Sequence, residues 1–123
     1  MTMPSQLSLL DSLDLPPLTP VPARHGQTIE ERFSAFHTAN PHVYRALRSL
    51  ALDLRRRGCQ RYGMKGLFEL LRWQSAVSAK GPAEPYKLNN IYTAHYARLL
   101  MTQEQGLAGF FETREHADSG ELQ

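Results

Sequence analysis

Cysteine is almost missing from this sequence. One thiol, Cys59, in 123 residues leaves no internal disulfide and suits a reducing compartment better than a secreted, cross-linked scaffold. Long apolar runs are missing too: no stretch approaches the roughly 20 residues of a membrane-spanning helix, and the N-terminus lacks the basic-then-apolar order of a signal peptide. A cytoplasmic protein that stays off the membrane is expected. The signatures of common active sites are equally scarce. Gly63 and Gly66 lack the pattern of a phosphate-binding loop, no Gly-x-Ser-x-Gly elbow occurs, and Cys59 has no cysteine partner at zinc spacing. The histidines, His25, His37, His42, His95 and His116, are scattered, with no pair at i, i+4 around a glutamate. The body offers only Glu30, Glu31, Asp53, Glu69 and Glu84, too dispersed for a metal-dependent nuclease. These absences predict a protein that is not an enzyme, with no catalytic residue, metal ligand or cofactor.

What is present suffices for a core. Hydrophobic residues make up 41% and charged residues 21%, globular values at the size of a single domain. The net charge of +2 conceals three zones. Residues 1–23 carry Asp11 and Asp14 and no cation; residues 24–98 carry thirteen basic and five acidic residues; residues 99–123 carry one arginine and five acids. A basic body between acidic ends can meet a polyanion and is the opposite of a nucleic-acid mimic.

The first 23 residues include Pro4, Pro16, Pro17, Pro20 and Pro22, which remove amide donors and predict a mobile, disordered tail. A helical domain is predicted over 24–115, with a flexible end at 116–123. Thr28 and Glu31 form a capping-box pair, and Ile29, Phe33 and Phe36 follow at helical spacing. The residue before Pro41 avoids the helical region, so Asn40 ends this helix and caps the next. Val43, Leu47, Leu50 and Leu54 then form an apolar stripe, with Arg45, Arg48, Arg55 and Arg56 largely off it and Gly58 as a stop. A third helix is predicted from Met64 to Ser78, with Met64, Leu67, Phe68, Leu71 and Trp73 facing inward. A fourth spans roughly Ile91 or Thr93 to Gln103, burying Tyr92, Tyr96, Leu99 and Leu100, and Leu107, Phe110 and Phe111 complete the core. The fold class is mainly α, a compact domain of four to five helices. A winged-helix-like variant has Tyr86-Lys87-Leu88 in a short β-hairpin.

The densest charge is Arg55-Arg56-Arg57, with Arg61 and Lys65 just beyond. Such a run can neutralise phosphates and release counterions, or it can merely complement the dipole of a helix C-terminus before Gly58. The dipole accounts for two or three arginines but not for the whole basic body. In the winged reading, Asn89, Asn90, Thr93, His95 and Arg98 become base or phosphate readers, because Asn pairs with adenine and Arg with guanine or phosphate. The alternative makes Asn89 and Asn90 a simple helix cap.

Phe33-x-x-Phe36-His37-x-x-Asn40-Pro41-His42-Val43-Tyr44, Gly63-Met64-Lys65-Gly66-Leu67-Phe68-Glu69-x-x-Arg72-Trp73 and Tyr86-Lys87-Leu88-Asn89-Asn90-x-Tyr92-x-x-x-Tyr96-Ala97-Arg98 together resemble a group of small, functionally uncharacterised proteins encoded by bacteriophages and prophages. The resemblance covers about residues 28–115 and implies a bacterial host cytoplasm but no catalytic residue. A second, shorter resemblance lies in the tail. Gln6-Leu7-Ser8-Leu9-Leu10 looks like the pentapeptide with which bacterial replication and repair proteins dock on the DNA sliding clamp, with Leu10 where a phenylalanine is usual. It implies partner contacts by Gln6, Leu7, Leu9 and Leu10; an apolar island that folds back on the body is the other reading. The sequence thus predicts a non-enzymatic DNA-associated module that binds through Arg45, Arg48, Arg55, Arg56, Arg57, Arg61, Lys65, Asn89, Asn90 and Arg98. The alternative is a phage-encoded inhibitor or adaptor that binds a host protein complex of defence or replication.

Overall fold

The computed structural model describes residues 12, 13, 15–77 and 85–112. Four α-helices account for most of them: α1 (Ile29–Ala39), α2 (Pro41–Arg56), α3 (Met64–Val77) and α4 (Thr93–Gln103), with 3-10 turns at Asn90–Tyr92 and Gln105–Leu107. The mainly helical class expected from the apolar periodicity is therefore observed. Tyr86-Lys87-Leu88 has no regular secondary structure and no strand occurs among the described residues, so the wing has no hairpin there. Tyr86 and Leu88 are buried, and the Tyr86 N–H donates to Ser75 Oγ at 2.9 Å. A side-chain acceptor on α3 thus takes the bond that a neighbouring strand would have supplied.

The helix boundaries follow local chemistry. At the start of α1 the Glu31 N–H donates to Thr28 Oγ1 and the Thr28 N–H donates to Glu31 Oε1, the reciprocal pair expected of a capping box. Pro41 opens α2, and Gly58 leaves it at φ +96°, a left-handed conformation that costs glycine little. Val43, Leu47 and Leu50 from α2 meet Met64, Leu67, Phe68 and Leu71 from α3 and Tyr96 and Leu100 from α4, and Leu107, Phe110 and Phe111 close the core.

Four expectations change. Asn40 makes no side-chain cap to α2. Its amide is fully buried; Oδ1 accepts the Thr19 N–H at 2.6 Å, and Nδ2 donates to the carbonyls of Thr19 and Phe36. The second change follows from it: residues 15–22, assigned to a mobile tail, lie on the body as a strap. Leu15 is in the core, Leu13 and Leu18 pack against it, and the Tyr86 hydroxyl donates to the Pro16 carbonyl. Prolines lack ladder donors, but leucines between them bury apolar area, and that suffices to seat the chain. Third, Trp73 is 56% exposed, because it sits about 200° around the helix from Leu71, outside the inward stripe. Fourth, Ile29 is 44% exposed and Leu99 only half-buried. Ile29 starts its helix, where no neighbouring turn covers it. Gln6, Leu7, Leu9 and Leu10 lie outside the described residues.

Candidate nucleic-acid interface

The apolar side of α2 determines where its arginines go. His42, Val43, Ala46, Leu47, Leu50 and Ala51 are buried on one side. At 3.6 residues per turn, Arg45, Arg48, Arg55 and Arg56 fall within an arc of about 100° on the other. Arg45 and Arg56 are exposed. Beyond Gly58 the chain turns back through Arg61, and the Tyr62 N–H reaches the Phe110 carbonyl at 3.2 Å. That bond starts α3 with exposed Lys65 in its first turn. Arg55, Gly58, Cys59, Gln60, Arg61, Ala108 and Gly109 line an open groove of about 510 Å³ between the end of α2 and the C-terminal segment. The strip therefore combines a helical face with a basic-walled groove.

Most of these cations already have neighbours. Arg56 and Arg57 both reach Asp53, at 3.2 and 2.7 Å, so part of the arginine run complements its own helix end, as the dipole reading allows. Arg48 Nε lies 2.5 Å from Glu104 Oε2, and this hydrogen bond raises the Arg48 pKa above its ordinary value. Next to it the Tyr44 hydroxyl donates to Gln103 Oε1 at 2.6 Å; burial first, then the charge of Glu104, push that hydroxyl's pKa up, with Arg48 opposing. Arg61 lies 3.7 Å from Glu112. Arg55 differs in kind: it donates to the carbonyls of Gln60 and Ala108, and its guanidinium sits 5.6 Å from the Phe110 ring centroid. That side chain holds the groove wall in place. Arg45 and Lys65 have no ion pair or hydrogen bond among the described residues.

Among the described residues, seven cations, Arg45, Arg48, Arg55, Arg56, Arg57, Arg61 and Lys65, thus face three carboxylates, Asp53, Glu104 and Glu112, a surplus of four positive charges. The Arg61–Glu112 pair is about two-thirds exposed on both sides, and such pairs contribute about 0–1 kcal/mol. A phosphate can replace a partner held that weakly.

Asn89 and Asn90 make bonds of their own. Asn89 Oδ1 accepts the Ile91 N–H and so caps the 3-10 turn. Asn90 Oδ1 accepts from Arg72, about two turns along α3 from Lys65. Arg98 is half-buried on α4. Asn89 and Asn90 are thus engaged within the turn at residues 88–92 and its contact with α3. Arg72 is a hub: it binds Glu69, the Leu88 carbonyl and Asn90, and lies over the Phe68 ring.

Two of the scattered histidines also converge. Phe33 of α1 stacks on His37 at 5.8 Å between ring centroids and meets His95 at 5.2 Å and Tyr96 at 4.8 Å. Burial lowers the His37 pKa, and burial followed by the Tyr92 charge raises that of Tyr96. No group of three His, Cys, Asp or Glu with metal-binding geometry occurs among the described residues. Cys59 donates its thiol to the Arg61 carbonyl. No helix among the described residues is long and apolar enough to cross a membrane. No protein-family model, curated protein or solved structure matches this chain.

Proposed function

We propose that this protein is a non-enzymatic nucleic-acid-associated module that grips the phosphate backbone through the outward face of α2 and the groove beyond it. The observation that carries this reading is the set of Arg45, Arg48, Arg55 and Arg56 opposite the buried stripe of α2, continued by Arg61 and Lys65, with more cations than carboxylates to pair them among the described residues. Phosphate contacts set affinity and salt dependence but not sequence preference. Asn89 and Asn90 serve intramolecular bonds, so the interface is assigned to backbone contacts alone. Arg45, Arg56, Arg61 and Lys65 are the hands, and Arg55 shapes the groove.

The test is an electrophoretic shift at about 50 and about 200 mM salt, the range over which several phosphate contacts cost orders of magnitude in affinity. Arg45→Glu, Arg56→Glu and Lys65→Glu together should abolish most binding and reduce the salt slope by about three, one for each phosphate no longer neutralised, with helicity unchanged. Absence of a shift by the wild-type protein at the lower salt would reject the reading in favour of a protein partner.

A further inference from the structure

The acidic end of the chain already follows the basic side of α2. Glu104 pairs with Arg48, the Ala108 carbonyl accepts from Arg55, and Glu112 lies 3.7 Å from Arg61, so positions four residues apart on this segment meet successive arginines. Two aromatic anchors fix the last of these contacts. Phe110 and Phe111 are buried, and the Tyr62 N–H donates to the Phe110 carbonyl, so the chain leaves the core at Glu112 beside Arg61. The next cation along is Lys65, exposed and without an ion pair among the described residues. The next acid along is Glu115, and acids then recur at every third position, Asp118 and Glu121, against the single cation Arg114.

We propose that residues 113–123 continue this contact, with Glu115 on Lys65 and with Asp118 and Glu121 over the groove and the end of α2, as a built-in polyanion that a phosphate backbone has to displace. Charge argues for this occupant. Three acids and one arginine bring a net −2 to a strip that keeps a surplus of four positive charges among the described residues after Glu112 is counted, so the strip is half neutralised and still attracts phosphates. Reach permits it: at 3.3 Å per residue Glu115 lies up to about 10 Å from Glu112 and Glu121 up to about 30 Å. The whole row from Arg56 back to Arg45 is about 16 Å long at 1.5 Å per residue. No element has to be crossed, because Arg55 belongs to the α2 row and to the groove, and Ala108 and Gly109 line that groove just before the chain leaves it. Each exposed pair alone is weak. A short tether, however, gives an effective concentration near millimolar, so several weak pairs fill the site together. The displacement rests on the nucleic-acid reading; the contact itself does not.

A nitroxide on Ser119→Cys in a Cys59→Ser background reads the contact with no nucleic acid present. At about 50 mM salt the amides of residues 58–65 should broaden more than in a chain that also carries Glu115→Gln, Asp118→Asn and Glu121→Gln, whose neutral segment gives the baseline of an undocked tether. About 0.5 M salt should return the broadening to that baseline, and Lys65→Glu should do so from the other side of the contact. In the shift assay the unlabelled neutral variant should bind about two-fold or more tighter than the full chain, as expected where the acids hold the strip at least half of the time. Equal broadening in the charged and neutral chains would overturn the proposal, as would an unchanged affinity in a neutral variant that binds. Broadening between separate labelled and isotope-enriched chains would overturn it too, because a second copy would then supply the acids. Salt-sensitive broadening with no shift by either chain would uphold the contact and reject the nucleic-acid reading alone.

Discussion

Helices α1 and α2 are neighbours joined at Asn40, yet opposite forces hold them. The N-terminus of α1 is well made: a complete capping box and two acids, Glu30 and Glu31, in the first turn. It has no fully buried residue and docks through the half-buried rings of Phe33, Phe36 and His37. α2 has no side-chain cap bond and no acid in its first turn, but buries six residues. End chemistry and burial are thus separable sources of helix stability, and only burial ties a helix to the global fold. The contrast makes α1 the first helix to open and α2 part of what unfolds last.

The contrast can be broken most severely from the α2 side. Leu47 is fully buried, so Leu47→Ala should cost about 2–5 kcal/mol of global stability in denaturant unfolding. The joint comes next. Asn40→Ala removes two hydrogen bonds that tie the strap to the α1–α2 corner and a third to the Phe36 carbonyl of α1, and a loss of about 1–3 kcal/mol is expected. Hydrogen exchange at Thr19 should rise with it; unchanged protection there would show that Leu15 and Leu18 hold the strap alone. Thr28→Ala acts only on α1 and should cost about 1 kcal/mol, visible as faster exchange in its first turn with the α2 amides unaffected.

The gentlest perturbation is a proton. Burial against Phe33, Tyr44 and Tyr96 lowers the His37 pKa from 6.5, so the folded state resists a charge that the unfolded state accepts. The stability associated with neutral His37 is present in full above pH 6.5 and is lost as pH falls through the lowered folded value. Exchange of α1 amides should accelerate over that window, and His37→Phe should remove the dependence.

Legibility in the sequence followed the range of each interaction. The capping box spans three residues, Pro41 and Gly58 act on their own dihedrals, and the α2 stripe repeats with each turn; all are local and all are observed. The arginine strip was legible for the same reason, since placing Arg45, Arg48, Arg55 and Arg56 needs only the position of the apolar stripe. Its carboxylate partners were not, because Glu104 is 56 residues from Arg48. The exposure of Trp73 depends on which side of α3 its neighbours cover. A tryptophan near an inward stripe reads as core until that side is known.

Local composition and periodicity by themselves determined four helices, the capping box of α1, the proline start and glycine stop of α2, and a basic face on α2, since each depends on torsion preferences and hydrogen bonds within a few residues of chain. Only the tertiary structure decided that Leu15 enters the core, that Asn40 fastens Thr19 from 21 positions away, that Tyr86 holds Pro16 from 70, and that Trp73 stays outside. Those outcomes depend on which surfaces meet when the helices pack, and burial is a property of the assembled packing that no single segment carries.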